Sequence, residues 1–161
     1  MKTEKRQLDL QRYIPALVNF LSNKLSSGAS KCYRKNFAIG IIEWRVLAML
    51  KVESDITANR ICQVIGLDKA AISRAVKQLV EEDYVTLKQD PEDARSSLLQ
   101  LTAEGHRLHD QIIPIALERE RLLLSGISKK DLDVTIDVLT KLNENVKLVD
   151  AFNPFAKDGK E

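Results

Sequence analysis

Cysteine and histidine are too few and too scattered in this 161-residue chain to build a metal centre. Cys32 and Cys62 lie far apart with no CxxC pair, and the two histidines, His106 and His109, are remote from both, so no metal and no cofactor are expected. Neither histidine has a convincing nucleophile or acid partner nearby in sequence, which argues against an enzyme. No apolar run approaches the about 20 residues that cross a bilayer. The N-terminal stretch from Leu8 to Leu25 is broken by Arg12, Asn19 and Lys24 and lacks the apolar centre of a signal peptide. A cytoplasmic protein with no membrane partner is expected, where thiols stay reduced and inert more often than paired. Charge of one sign is also lacking: the net charge is +2, too small to argue for a polyanionic partner by itself. The basic residues do gather in the first fifty positions, with Lys31, Arg34 and Lys35 close together.

What the sequence does contain is helical periodicity. The length fits one domain. Leu10, Tyr13, Ile14, Leu17, Val18 and Leu21 recur at helical spacing and predict a buried stripe on a long first helix, loosened or ended at Gly28. Ile42, Val46, Met49 and Leu50 supply a second stripe over 41–51, before a break at Ser54 and Asp55. Thr57 is an N-cap candidate for a short third helix with Ala58, Ile61, Cys62 and Ile65 inward, and Gly66 stops it. Asp68 caps a fourth, with Ile72, Ala75, Val76, Leu79 and Val80 inward.

After Asp83 the period drops to two, with Val85 and Leu87 in one run and Leu99 and Leu101 in another, predicting two strands. Asp90-Pro91-Glu92-Asp93-Ala94-Arg95-Ser96 joins them as a long exposed tip opened by an Asp-Pro turn. Thr102 caps a fifth helix carrying Leu108, Ile112, Ile115 and Leu122, with Pro114 expected to bend it. Ser128 and Asp131 resemble a capping box opening a last helix through Leu132, Ile136, Leu139, Leu142 and Val146. A mobile tail is expected over 150–161. The fold class is mainly α with a small β-hairpin.

Two short helices joined at a glycine, the second apolar on one side and small, polar or basic on the other, form a candidate DNA-reading unit. Lys69, Ser73 and Lys77 make one line along the fourth helix, and Ala70, Arg74 and Gln78 the adjacent one. Ala70 and Ala71 at its front allow close backbone approach and contact with a thymine methyl. Arg74 suits a bidentate guanine contact, whereas Lys69 and Lys77 suit phosphate. Such residues are equally ordinary on a solvated helix. The hairpin tip favours DNA, because Arg95 follows shortly after the helix on an exposed turn, placed for the negative potential of a flanking minor groove.

Residues 67–79, the tip Asp90-Pro91-Glu92-Asp93-Ala94-Arg95-Ser96 and Leu101-Thr102-Ala103-Glu104-Gly105 together resemble the MarR family of bacterial winged helix-turn-helix regulators, over roughly 8–148. The resemblance implies a winged helix-turn-helix lobe over about 41–102, with dimerisation helices over about 8–40 and 103–148. It implies a homodimer on double-stranded operator DNA, with Arg95 in the minor groove, Asp93 supporting the wing, and Ser96 beside them. It also implies an effector pocket between the dimerisation and DNA-binding regions. The sequence departs from the family at Glu82-Asp83-Tyr84-Val85, where a glycine often precedes the first wing strand.

The most favoured reading is a repressor on a pseudo-palindromic operator, released by a small anionic or aromatic effector. Arg12, Tyr13, Trp44, Arg45 and His109 are the candidate effector residues, although each taken singly reads as core or surface. A redox-sensing regulator of the same fold stays open through Cys32, whose basic neighbours Arg34 and Lys35 favour thiolate. So does a helical adaptor that uses the basic surface for an acidic protein partner.

Overall fold

A computed structural model describes residues 7–155. In chain order it holds α1 (Ile14–Phe37), α2 (Ile41–Val52), β1 (Ile56–Thr57), α3 (Ala58–Ile65), α4 (Lys69–Glu81), β2 (Val85–Gln89), β3 (Ser97–Leu101), α5 (Ala103–Leu123) and α6 (Lys129–Asp150). The chain divides into two compact units, one up to Ala116 and the other from Leu117 onward. The fold is mainly helical with one small sheet, as expected.

The core of the first unit is built from α2, α3, α4, the sheet and the start of α5. Ile39, Val46, Leu47, Ile61, Ile72, Leu79 and Ile112 are fully buried. Their helical spacing gives each helix one apolar stripe, and burying such side chains is worth about 1.5–3 kcal/mol each. The sheet corrects the expectation of a lone hairpin. β1 pairs with β3, giving the order β1-β3-β2, all antiparallel. Ile56 and Leu87 both stand opposite Leu99, and Val85 opposite Leu101. Two-residue β1 covers part of the free edge of β3, which a bare hairpin would leave open. A strand so short has no period to detect.

α1 also departs from its expected bounds. Asp9 organises a turn, its Oδ1 accepting from Gln11 N–H at 3.0 Å and its carbonyl from Tyr13 N–H at 2.8 Å, and the helix starts only at Ile14 with Pro15 in its first turn. Gly28 does not end it. The helix runs on to Phe37, where Ala38 at φ 60° closes it. A glycine costs a helix about 1 kcal/mol, and burial of Ala29 and Tyr33 beyond it outweighs that. The expected buried stripe is instead exposed: Leu10, Tyr13, Ile14, Leu17, Val18 and Leu21 lie between 40% and 53% exposed.

In the second unit, α6 opens at Ser128, whose Oγ accepts from Asp131 N–H at 3.1 Å and donates to Asp131 Oδ2 at 2.6 Å. The shorter Asp thus bonds the cap hydroxyl, where a Glu would reach back to the cap N–H. Ile136, Leu139, Leu142 and Val146 share a face of α6, and all are exposed. α5 is continuous through Pro114. Of the expected tail, α6 takes in Asp150, a turn follows, and 156–161 lie outside the described residues.

Candidate nucleic-acid interface

α3 and α4 owe their mutual geometry to a three-residue turn. Thr57 Oγ1 accepts from Arg60 N–H at 3.1 Å and starts α3. Gly66 at φ 73° ends it in the left-handed conformation, which costs glycine little. Asp68 Oδ1 then accepts from Ala71 N–H at 2.9 Å and starts α4. With both ends set, the apolar stripe fixes the rotation of α4: Ile72, Ala75, Val76 and Leu79 are buried.

That rotation decides what the other side offers. Lys69, Ala70, Ser73, Arg74 and Lys77 are exposed, and Gln78 is half-buried. Ala71 is a correction, because it is buried at 8% exposure and not open to a groove. It stands four residues before Ala75 and eight before Leu79, so it belongs to the inward line. Lys77 Nζ lies 3.7 Å from Glu81 and Gln78 Nε2 donates to Glu82 at 3.0 Å. Among the described residues, no hydrogen bond or ion pair holds Lys69 or the Arg74 guanidinium. Both cations are exposed on this face of α4.

The wing tip is ordered by its own acidic residues. Asp90 Oδ1 accepts from Glu92 N–H at 2.9 Å, and Asp93 Oδ1 from Arg95 N–H at 3.0 Å. The Asp93 carbonyl accepts from Ser96 N–H at 2.9 Å, and the Ser96 carbonyl from Asp90 N–H at 3.1 Å. The two aspartate carboxylates make side-chain turns, and the two backbone bonds close the loop beyond the Gln89–Ser97 pair. They leave the exposed Arg95 guanidinium with no partner among the described residues, and Ser96 half-buried.

The effector candidates do not assemble as a set. His109 stacks on Trp44 with ring centroids 5.4 Å apart, and Tyr33 is tilted against Trp44 at 5.8 Å. Both Trp44 and His109 are buried, so they pack the core. Arg45 donates to Ser26 Oγ at 2.9 Å, tying α2 to α1. Arg12 and Tyr13 precede α1, about 30 Å along the helix axis from Tyr33 at 1.5 Å per residue. Within one chain they do not meet the Trp44–His109 pair.

Spacing alone did not reveal a polar junction around that pair. Asp110 Oδ1 lies 2.9 Å from His109 Nδ1 and 3.2 Å from Lys51 Nζ, and Lys51 Nζ is 3.2 Å from His106 Nδ1. The His109 hydrogen bond, then that of Lys51, holds the Asp110 carboxyl below its ordinary value. The residues come from α2 and α5 and converge only in the fold. Cys32 is half-buried, and Asn36 Nδ2 donates to its carbonyl at 2.7 Å.

Comparison with known proteins places this geometry. Residues 39–96 match the MarR family model. The chain is 35% identical to a MarR/EmrR family transcriptional regulator from Acinetobacter sp. ADP1, over 88% of this chain and 99% of that one, with a TM-score of 0.82. It is 28% identical over 109 residues to the HTH-type transcriptional regulator YdgJ of Bacillus subtilis, covering 66% of this chain and 65% of that protein's length. An E. coli MarR solved in complex with operator DNA shares the fold, with a TM-score of 0.70 at 20% identity over 80% of this chain and 92% of that one. The helix-turn-helix, the ordered wing and the 35% identity over 88% of the chain agree: this chain belongs to the MarR family of transcriptional regulators.

Proposed function

We propose that the protein is a cytoplasmic repressor that binds a pseudo-palindromic operator as a homodimer and is released by a small anionic or aromatic effector. The observation that carries DNA recognition is the presence of two exposed guanidiniums with no partner among the described residues. Arg74 stands on the exposed face of α4, and Arg95 on the wing tip. In this reading α4 lies in the major groove, with Arg74 bidentate on a guanine edge. Lys69 and Lys77 meet phosphate, Ser73 and Gln78 flank the bases, and Ala70 lets the backbone approach. Arg95, supported by Asp93 and Ser96, enters the minor groove beside it. The operator complex of the E. coli MarR supports this reading by analogy of fold.

The homodimer rests on unpartnered apolar surface. α1 and the turn before it expose Leu10, Ile14, Leu17, Val18 and Leu21, and α6 exposes Ile136, Leu139, Leu142 and Val146. Contiguous apolar faces of this kind mark association surfaces. Effector release follows the family pattern, with Arg12, Tyr13, Trp44, Arg45 and His109 as candidates. In this chain Arg12 and Tyr13 reach the others only if a second copy supplies them. Any such ligand must obey reciprocity, operator weakening ligand by the same factor as ligand weakens operator.

Selection of bound duplexes from a randomised pool, combined with sedimentation, tests the proposal. A dimer at micromolar concentration and a two-fold consensus with half-sites about one helical turn apart are expected. A monomer that enriches no sequence, yet binds an acidic protein surface, would replace this reading with the adaptor.

A further inference from the structure

Thr102 sits where the recognition helix, the wing and α5 meet. Its hydroxyl donates to the Asp83 carbonyl at 2.5 Å and accepts from Gly105 N–H at 3.0 Å. Its own N–H donates to the Tyr84 carbonyl at 3.1 Å, and Tyr84 N–H donates to the Leu79 carbonyl at 2.8 Å. Gly105 completes the junction, since a Cβ on it would lie 2.0 Å from the Tyr84 carbonyl oxygen. The first turn of α5 therefore rests directly on the backbone at the root of the wing.

A helix cap needs only the bond from Gly105. The second bond reaches Asp83, held at φ 59° between the end of α4 and the start of β2. Fixing the Asp83 carbonyl fixes the peptide plane through which α4 passes into β2. It therefore also fixes the direction in which the wing leaves the recognition helix. Thr102 follows β3 directly, and its N–H bond to Tyr84 lies just beyond the Val85–Leu101 pair, so both wing strands are anchored at this point.

We propose that Thr102 is a positioning residue for operator binding, which sets the wing tip against the recognition helix through the Asp83 carbonyl while touching no DNA itself. The inference rests on the operator-binding reading above. Its test is a double-mutant cycle with Arg95, measured on a selected operator duplex at a temperature where circular dichroism shows every variant folded. In the wild-type background Arg95→Ala is expected to weaken binding about tenfold or more, the size of one arginine contact. In Thr102→Val, which keeps the shape and loses both hydroxyl bonds, the same substitution is expected to cost less than about twofold, within the scatter of independent sites. Thr102→Ser, which keeps both bonds, retains the full Arg95 effect.

An undiminished Arg95 effect in Thr102→Val overturns the positioning role. Thr102→Ala carries the same comparison if the valine variant does not fold, and failure of both to fold makes Thr102 a folding residue and overturns the proposal. If Arg95→Ala costs nothing even in the wild-type background, the wing reading itself fails, and this inference falls with it.

Discussion

The carboxylate of Asp93 holds the backbone of Arg95, not its side chain: Oδ1 accepts from Arg95 N–H at 3.0 Å, and among the described residues the guanidinium has no partner. An ion pair would have to be broken before the arginine met DNA. A backbone bond instead shapes the turn and leaves the cation available.

Asparagine can accept the same hydrogen bond and favours the same turn. Asp93→Asn is therefore expected to bind operator as well as wild type, or better for losing a negative charge beside DNA. Asp93→Ala should share part of the loss seen in Arg95→Ala, itself about 1–3 kcal/mol. Titration of all three variants by fluorescence anisotropy checks this. Equal damage from Asp93→Asn and Asp93→Ala would show that the charge matters and the turn does not.

Arg74 and Lys69 should fail differently. Arg74→Ala is expected to lose about 1–3 kcal/mol of discrimination at one base-pair position. Lys69→Ala should weaken all duplexes about equally and lower the slope of log affinity against log salt by about 1. Binding to cognate and single-mismatch duplexes at several salt concentrations separates them. An unchanged mismatch profile in Arg74→Ala would remove its assignment as a reader.

At the root of the wing, Asp83 occupies the left-handed region at φ 59°. A side chain there costs roughly 1–2 kcal/mol, less for Asp, and glycine returns about 0.4–1 kcal/mol through the unfolded chain. Asp83→Gly is expected to be neutral to stabilising, by up to about 1 kcal/mol. Gly105→Ala, with its Cβ 2.0 Å from a backbone oxygen, should destabilise by about 3 kcal/mol or more. Urea melts of both variants test the pair, and a stable Gly105→Ala would contradict the close approach.

Asp110 gives a pH dependence of known sign. Its folded-state pKa is lowered by His109 and then Lys51, from an ordinary 3.8. The stability this contributes is fully present above that ordinary value and is lost as pH falls through the lowered one. Thermal midpoints of wild type and Asp110→Asn should differ near neutral pH and converge in strong acid. A gap that persists or widens in acid would contradict the direction of the shift.

Much of the lobe was legible in sequence because local chemistry and packing agree there. Asp68, the stripe from Ile72 to Leu79 and Gly66 each act within a few residues, and the structure uses them as expected. Ala71 was legible too, since it lies on the line of Ala75 and Leu79, but its small side chain at the helix front suggested a groove contact. Two-residue β1 carries no period and is defined only by its partner Leu99. The stripe on α1 announced a face that needs covering without saying what covers it. The convergence of Lys51, His106, His109 and Asp110, and the bond from Thr102 to Asp83, depend on distant segments meeting, which periodicity does not encode.

The most direct test is operator affinity of the double variant Arg74→Ala/Arg95→Ala beside wild type, on a selected site and on a scrambled duplex of the same length, across several salt concentrations. The variant is expected to bind both duplexes alike, at the weak, salt-sensitive level of non-specific contact. Wild-type affinity and wild-type preference in the double variant would contradict DNA reading by α4 and the wing.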